Sequence, residues 1–315
     1  MIAGSEIPRR GAMALVVAGV ARILRSRESE TSAPSSLPLR IAISETMVTD
    51  VNLSDARAAM QTWIKRMQVD LDVTIQIDPK IFSTSEEVVR GIRTGQLDAA
   101  ALNLVEYRPI ADLFDSRDLL VGGGASGPDE YVVLTRKNSP FKRLPDLRGC
   151  RLSVLKAPKM CVAPGWLATL LDDERLGPAE TFFSSILSET KVSRVVLPVF
   201  FAQVDGCLTS KRGFQIMCEL NPQVARSLAV IANSPLLVTC FYAFRKKYPR
   251  NARARFLEVH NSLLSSPTGR QLATLFQFDE MNVGDAECLA PGLAILDRAE
   301  RARGNNAPGR KGPFL

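Results

Sequence analysis

The sequence predicts an α/β protein built as two lobes of similar plan, each a sheet flanked by helices. Three observations predict it. From residue 39 onward, short apolar strands alternate with amphipathic helical segments, which is the pattern of sheets covered by helices. The alternation then passes through two cycles that echo each other. Gly95-Gln-Leu-Asp98 leads into Ala-Ala-Ala, and Ala202-Gln-Val-Asp205 leads into Gly-Cys-Leu, so each cycle places a helix, then Gln-apolar-Asp, then a strand of small and apolar residues. Arg40 precedes Asp98 by 58 positions and Arg151 precedes Asp205 by 54. Finally, helices cluster at the end of the chain, as expected where the chain has crossed to a second lobe and returned to cover the first.

In order along the chain, residues 39–43 form the first strand. Residues 54–67 form an amphipathic helix opened by a Ser/Asp cap, and residues 73–77 form the next strand. Ser83, Thr84 and Ser85 cap a helix reaching about Arg93, and residues 97–104 make a buried strand. This alternation indicates a largely parallel sheet. The second cycle follows residues 130–134. It has a strand at 151–155, a helix at 163–171, a helix at 188–201 interrupted near Pro198, and a strand at 204–208. Strands at 228–231 and 236–244 and helices at about 249–264, 268–276 and 287–303 complete the chain. The expected domains are lobe 1 from residues 39–128 with 240–303 and lobe 2 from residues 129–239, followed by a disordered tail at 304–315 rich in Gly, Pro and Asn.

Composition narrows the function. The 315 residues are 46% hydrophobic and 23% charged, enough to bury substantial cores. The formal charge of +7 resides in the two ends, with Arg9, Arg10, Arg22, Arg25 and Arg27 at one and Arg298, Arg301, Arg303, Arg310 and Lys311 at the other. The middle is close to neutral, which argues against a nucleic-acid partner. At the N-terminus a charged stretch ending in Arg9-Arg10 precedes an apolar run to Ala21. That is the layout of a secretory signal and is too short to span a bilayer. The reading is a signal peptide at 1–21, a Ser/Arg/Glu/Pro tether at 22–38, and export to the periplasm. Six cysteines follow (Cys150, Cys161, Cys207, Cys218, Cys240 and Cys288) with no C-x-x-C pair. Either disulfides or buried free thiols fit them, and a zinc site does not.

No set of residues reads as catalytic. Gly122-Gly-Gly124-Ala-Ser-Gly127 satisfies G-x-G-x-x-G, but the following Pro128-Asp-Glu-Tyr-Val-Val-Leu reads as a strand, whereas a dinucleotide fingerprint must open a helix. It is expected to be a loop entering the crossing between lobes. The one histidine, His260, lies in a helical pattern with Phe256 and Leu257 and is expected on a surface or half-buried face. Cys161 has no nearby base. The expectation is therefore a non-enzyme without cofactor or metal. What remains is polar residues at strand-to-helix junctions: Ser44, Glu45 and Thr46 after the first strand, Thr84 and Ser85 at a helix start, and Asn103 at a strand end. Ligands of open α/β sheets bind beyond the carboxyl ends of strands, and helix starts offer free N–H groups. Ordinary capping explains Thr84 and Ser85 equally well.

Residues 39–107, with Glu87-Val-Val-Arg-Gly-Ile-Arg-Thr-Gly-Gln-Leu-Asp98, resemble the phosphate/phosphonate-type substrate-binding proteins of ABC transporters. Leu144-Pro-Asp-Leu-Arg-Gly149, Gln203-Val-Asp205 and Ala232-Asn-Ser-Pro235 extend the resemblance across residues 39–280. It implies a two-lobed periplasmic-binding-protein-like fold, each lobe a mixed sheet flanked by helices, with a ligand cleft between the lobes. The implied partners are a small polar, anionic solute, phosphonate-like or another oxyanion, and an ABC permease, the protein itself being a monomer. The sequence departs from the family where Lys159-Met160-Cys161-Val162 replaces a Ser-Thr-Ser-Gly grip, where Leu102 replaces an aromatic, and where Ser85 replaces a tyrosine. Matched to the family's second-lobe contacts, the expected site adds Lys159, Lys191, Ser193 and Asp205, with Ser234 at the crossing. Lys159 would supply a point charge in place of the hydroxyls. An enzyme on the same scaffold, or a sensing domain without a transporter, are the alternatives.

Overall fold

A computed structural model of the chain describes residues 39–47, 80–123, 127–267 and 280–305, with positions 54, 58, 61, 62, 64, 65 and 270. All lie within one compact unit, Pro38–Leu315. The expected signal segment and tether, most of the helix at 54–67, the strand at 73–77, nearly all of the helix at 268–276 and residues 306–315 lie outside the described residues.

Two mixed sheets carry the fold. The first uses β1 (Ile41–Ser44), β2 (Lys80–Phe82), β3 (Ala99–Asn103), β4 (Leu119–Gly122), β10 (Cys240–Phe244) and β11 (Met281–Gly284), in the order β11-β4-β10-β3-β1-β2. The second uses β5 (Tyr131–Arg136), β6 (Arg151–Leu155), β7 (Ser185–Glu189), β8 (Gly206–Ser210) and β9 (Leu228–Asn233), in the order β7-β6-β8-β5-β9. In each sheet three strands run parallel, β2-β1-β3 and β7-β6-β8. Beside each triplet lies an antiparallel strand that has come from the other sheet, β10 in the first and β5 in the second. The sheets are thus two versions of one plan that exchange a strand.

The repeat extends to single hydrogen bonds. Asp98 accepts from the Arg40 N–H at 3.1 Å and Asp205 accepts from the Arg151 N–H at 2.8 Å. Each aspartate therefore pins the start of its parallel strand pair, β1/β3 or β6/β8, and this is what the Gln-apolar-Asp echo encodes.

Strand periodicity sorts the core. On β1, β3 and β4, Ala42, Ala100 and Val121 face a large cluster that continues into the second sheet. Their neighbours Ile41, Ala99 and Leu120 join a smaller cluster with Phe244, Tyr248 and Phe256. The smaller cluster is covered by the helix Arg250–Ser265, in which His260 is buried against Phe256 rather than half-exposed. The final helix, Ala290–Asn305, packs on the helix Ala163–Asp173 of the second sheet. Gly165 faces it, and a Cβ there would meet Ala299 Cβ at an ordinary contact distance of 3.4 Å. Arg298 closes the contact on Asp173 at 2.5 Å.

Several expectations are corrected. The helix placed at 188–201 is strand β7 followed by a helix over Val192–Phe200. The exposed edge strand lacks the clean apolar alternation that separates a strand from a helix start. Pro198 does not interrupt that helix but lies inside its last turn. The sequence reading lacked β2, β11 and the helices Lys211–Leu220 and Pro222–Ser227. After the glycine-rich stretch, residues 127–130 contain no helix and Tyr131 opens β5. All six cysteines are thiols.

Candidate functional site

The two sheets present matching edges to each other. In the first, the carboxyl ends of β1 (Ser44) and β3 (Asn103) lie beside the start of β10, where Cys240 pairs with Asn103. In the second, Leu155 pairs with Glu189 at the ends of β6 and β7, and Ser210 at the end of β8 pairs with Tyr131 at the start of β5. The chain passes between these edges twice, by way of residues 127–130 and 234–239. The carboxyl ends of both parallel triplets therefore face the same junction, where open α/β sheets bind ligands.

Every sequence-predicted residue except Asp205 lies at this edge. Ser44 ends β1 and Glu45 follows it. Thr84 caps the helix Ser85–Arg93, accepting from the Glu87 N–H at 3.4 Å, and Ser85 is that helix's first residue. Lys191 stands at the N-cap position of the helix Val192–Phe200 without a side-chain bond to it, and Ser193 lies in the helix's first turn. Lys159 lies in the short turn after β6, and Ser234 in the second crossing. Asp205 lies at the other end of the second sheet, holding the start of β6, so its role is structural.

The best-connected part of the edge is in the first sheet. Ser44, 2% exposed, donates to Glu106 Oε1 at 2.5 Å, and Thr46 Oγ1 donates to the same oxygen at 2.9 Å. The Asn103 N–H donates to Glu106 Oε2 at 3.2 Å, while Asn103 Oδ1 accepts from the Glu106 N–H at 3.0 Å, forming a capping box. Asn103 Nδ2 donates to Thr46 Oγ1 at 2.9 Å. Next to this network, Ser83 Oγ donates to Glu45 at 2.5 Å.

The crossings are tied more tightly than the sequence suggests. Tyr131 Oη donates to the Lys159 carbonyl at 2.6 Å and Thr239 Oγ1 donates to the same oxygen at 3.0 Å. The Leu104 N–H and the Cys161 thiol both donate to the Thr239 carbonyl, at 2.8 and 3.8 Å. Ser234 Oγ accepts from the Tyr131 N–H at 2.8 Å. Lys159 is half-buried, with Nζ donating to the Gly127 carbonyl at 3.3 Å, rather than an exposed lysine reaching into open space. Burial pushes the Cys161 thiol up to about 12, with the Glu106 carboxylate adding to the rise. A further polar group, Glu130, is bonded by Lys211 at 2.5 Å and by Asn233, and the Lys211 bond chiefly holds its carboxyl below the usual range.

Sequence reasoning missed Glu106, Glu130, Tyr131, Lys211 and Thr239. The Asn103-x-x-Glu106 spacing is a capping signature readable in the sequence. The Glu130–Lys211 pair spans 81 positions and leaves no local trace. A separate groove of 610 Å3 runs along the flank of Ser85–Arg93, with Arg90, Arg93 and Pro109 in its wall. It shares only Ser85 with the edge and lacks its converging buried polar groups.

A family model described as "ABC transporter, phosphonate, periplasmic substrate-binding protein" matches residues 46–288. Among curated proteins none matches the sequence. In fold, the chain is similar to a binding protein component of an ABC phosphonate transporter from Pseudomonas aeruginosa. That match has a TM-score of 0.55 at 15% identity over 87% of this chain and 91% of that one. It is similar also to XAC2383 from Xanthomonas citri, with a TM-score of 0.57 at 15% identity over 85% and 99%. PhnD1 from Prochlorococcus marinus, solved with methylphosphonate, gives a TM-score of 0.52 at 14% identity over 85% and 98%.

Proposed function

Because the chain belongs to the periplasmic substrate-binding proteins of phosphonate-type ABC transporters, we propose that it captures one small polar solute between its two sheets and delivers it to a membrane permease. The observation that carries this reading is the convergence of both parallel triplets' carboxyl ends on the doubly crossed junction, with Ser44, Thr46 and Asn103 on one side and the Lys159 turn on the other. In this reading the protein is periplasmic, monomeric and non-catalytic, with no nucleic-acid partner. The two crossings act as a hinge, and their hydrogen bonds to the Lys159 and Thr239 carbonyls fix where bending occurs.

Thermal-shift screening against phosphate, phosphite, phosphonates, sulfonates and amino acids tests the proposal. A solute at a hundred times its dissociation constant is expected to add about 2.7 kcal/mol of stability. A screen in which nothing raises the melting temperature argues for a sensing or partner-recruiting domain instead.

A further inference from the structure

The first lobe's half of the junction is already occupied by the chain itself. Two hydroxyls, Ser44 Oγ and Thr46 Oγ1, and one backbone amide, that of Asn103, converge on a single carboxylate, Glu106. Converging hydroxyl and amide donors at strand ends are the donor set that recognises an oxyanion. The capping box accounts for only one of these bonds, the one from the Asn103 N–H to Oε2. The bonds to Oε1 come from residues 62 and 60 positions away and have no part in capping. Among the described residues neither Glu106 nor its neighbour Glu45 forms an ion pair. The charge of Glu106 is therefore held by hydroxyl and amide donors alone, and any second anion brought to the same donors would meet it.

The facing turn of the second lobe offers one cation and no hydroxyl. Pro158–Met160 and the residues up to the helix Ala163–Asp173 carry no hydroxyl, Val162 gives that helix no side-chain cap, and Pro164 removes an amide from its first turn. The cation there, Lys159, already donates to the Gly127 carbonyl.

We infer that Glu106 is a specificity-determining residue: it occupies the oxyanion position of the cleft from within, so that the protein selects a polar solute whose lobe-1 end is not a free phosphonate, phosphate or sulfonate group. The inference rests on the solute-capture reading and deepens it. It also predicts that the oxyanion site is restored by removing one carboxylate, since like-charge juxtaposition is what excludes the anion.

The test titrates the full-length protein and its Glu106→Ser and Glu106→Gln variants with methylphosphonate, inorganic phosphate and sulfate by calorimetry, with a melting curve to establish folding. The wild type is expected to give no saturable heat. Glu106→Ser, which frees the Ser44 and Thr46 hydroxyls, is expected to bind methylphosphonate or phosphate at least about a hundredfold more tightly. Glu106→Gln removes the charge, keeps the side chain's length, and is expected to show a smaller gain. It decides the question if the serine variant does not fold. Wild-type binding as tight as that of the variants overturns the inference and leaves solute capture standing. Folded variants that bind none of the three anions, while another solute in the thermal screen shifts the wild type, overturn the inference alone. If no solute of any class affects any form, both the inference and the solute-capture reading fall.

Discussion

Replacing Phe244 with alanine is expected to destabilise the protein by about 3–5 kcal/mol, the range for deleting a fully buried aromatic ring. Phe244 is 1% exposed, stacks on Tyr248 at 5.6 Å between ring centroids, meets Phe256 edge-on at 6.4 Å, and lies under the Arg253 guanidinium. It ends the strand that returns from the second sheet and anchors the smaller core. Denaturant unfolding of the variant should give a lower midpoint with an unchanged slope. A loss below about 1 kcal/mol would mean that the core collapses around the gap.

The Asp98→Asn variant is expected to lose about 3 kcal/mol at neutral pH, near the low end for breaking a buried ion pair. Asp98 is 1% exposed and accepts from Arg40 at 2.8 Å and from Arg245 at 2.9 Å, so it joins β1, β3 and the end of β10. The low end applies because the Arg40 and Arg245 side chains are 36% and 30% exposed and water takes up part of what they lose. Burial by itself would raise the Asp98 carboxyl, but hydrogen bonds from Arg40 and Arg245 outweigh it and hold the carboxyl below its ordinary 3.8. A depressed carboxylate stabilises the folded state fully above its unfolded value and loses that contribution as pH falls through its folded value. The wild type should therefore lose stability below about pH 4, and the variant should lose less over the same window. Equal acid sensitivity in both proteins would contradict the assignment. Asp205, its counterpart in the second sheet, is 28% exposed and its partner Arg151 52%, so the same substitution there is expected to cost under about 1 kcal/mol.

This pair of aspartates shows what the sequence reveals and what it hides. The Gln-apolar-Asp echo was readable as a repeat because each aspartate acts within its own cycle, on the strand 58 or 54 positions earlier. Its placement was misread for Asp205, which was assigned to the cleft although an aspartate immediately before a strand lies at the amino end, away from it. Ser44 and Asn103 were found because a polar residue that ends an apolar strand stands out. Thr46 stands out with them in the run Ser44-Glu45-Thr46, whereas Glu106 does not, since it reads as a helix residue until the fold brings β1 beside it. Strand β7 was lost for a related reason. An edge strand in which Leu187 is exposed along with Ser188 has too little apolar alternation to declare itself against a helix start.

The central claim, solute capture between the two sheets, is tested most directly by small-angle scattering with and without the solute that gives the largest thermal shift. Closure about the two crossings predicts that the radius of gyration falls as the solute is added and levels off at one equivalent per chain. A bound solute that leaves the radius unchanged would contradict capture by closure of this junction.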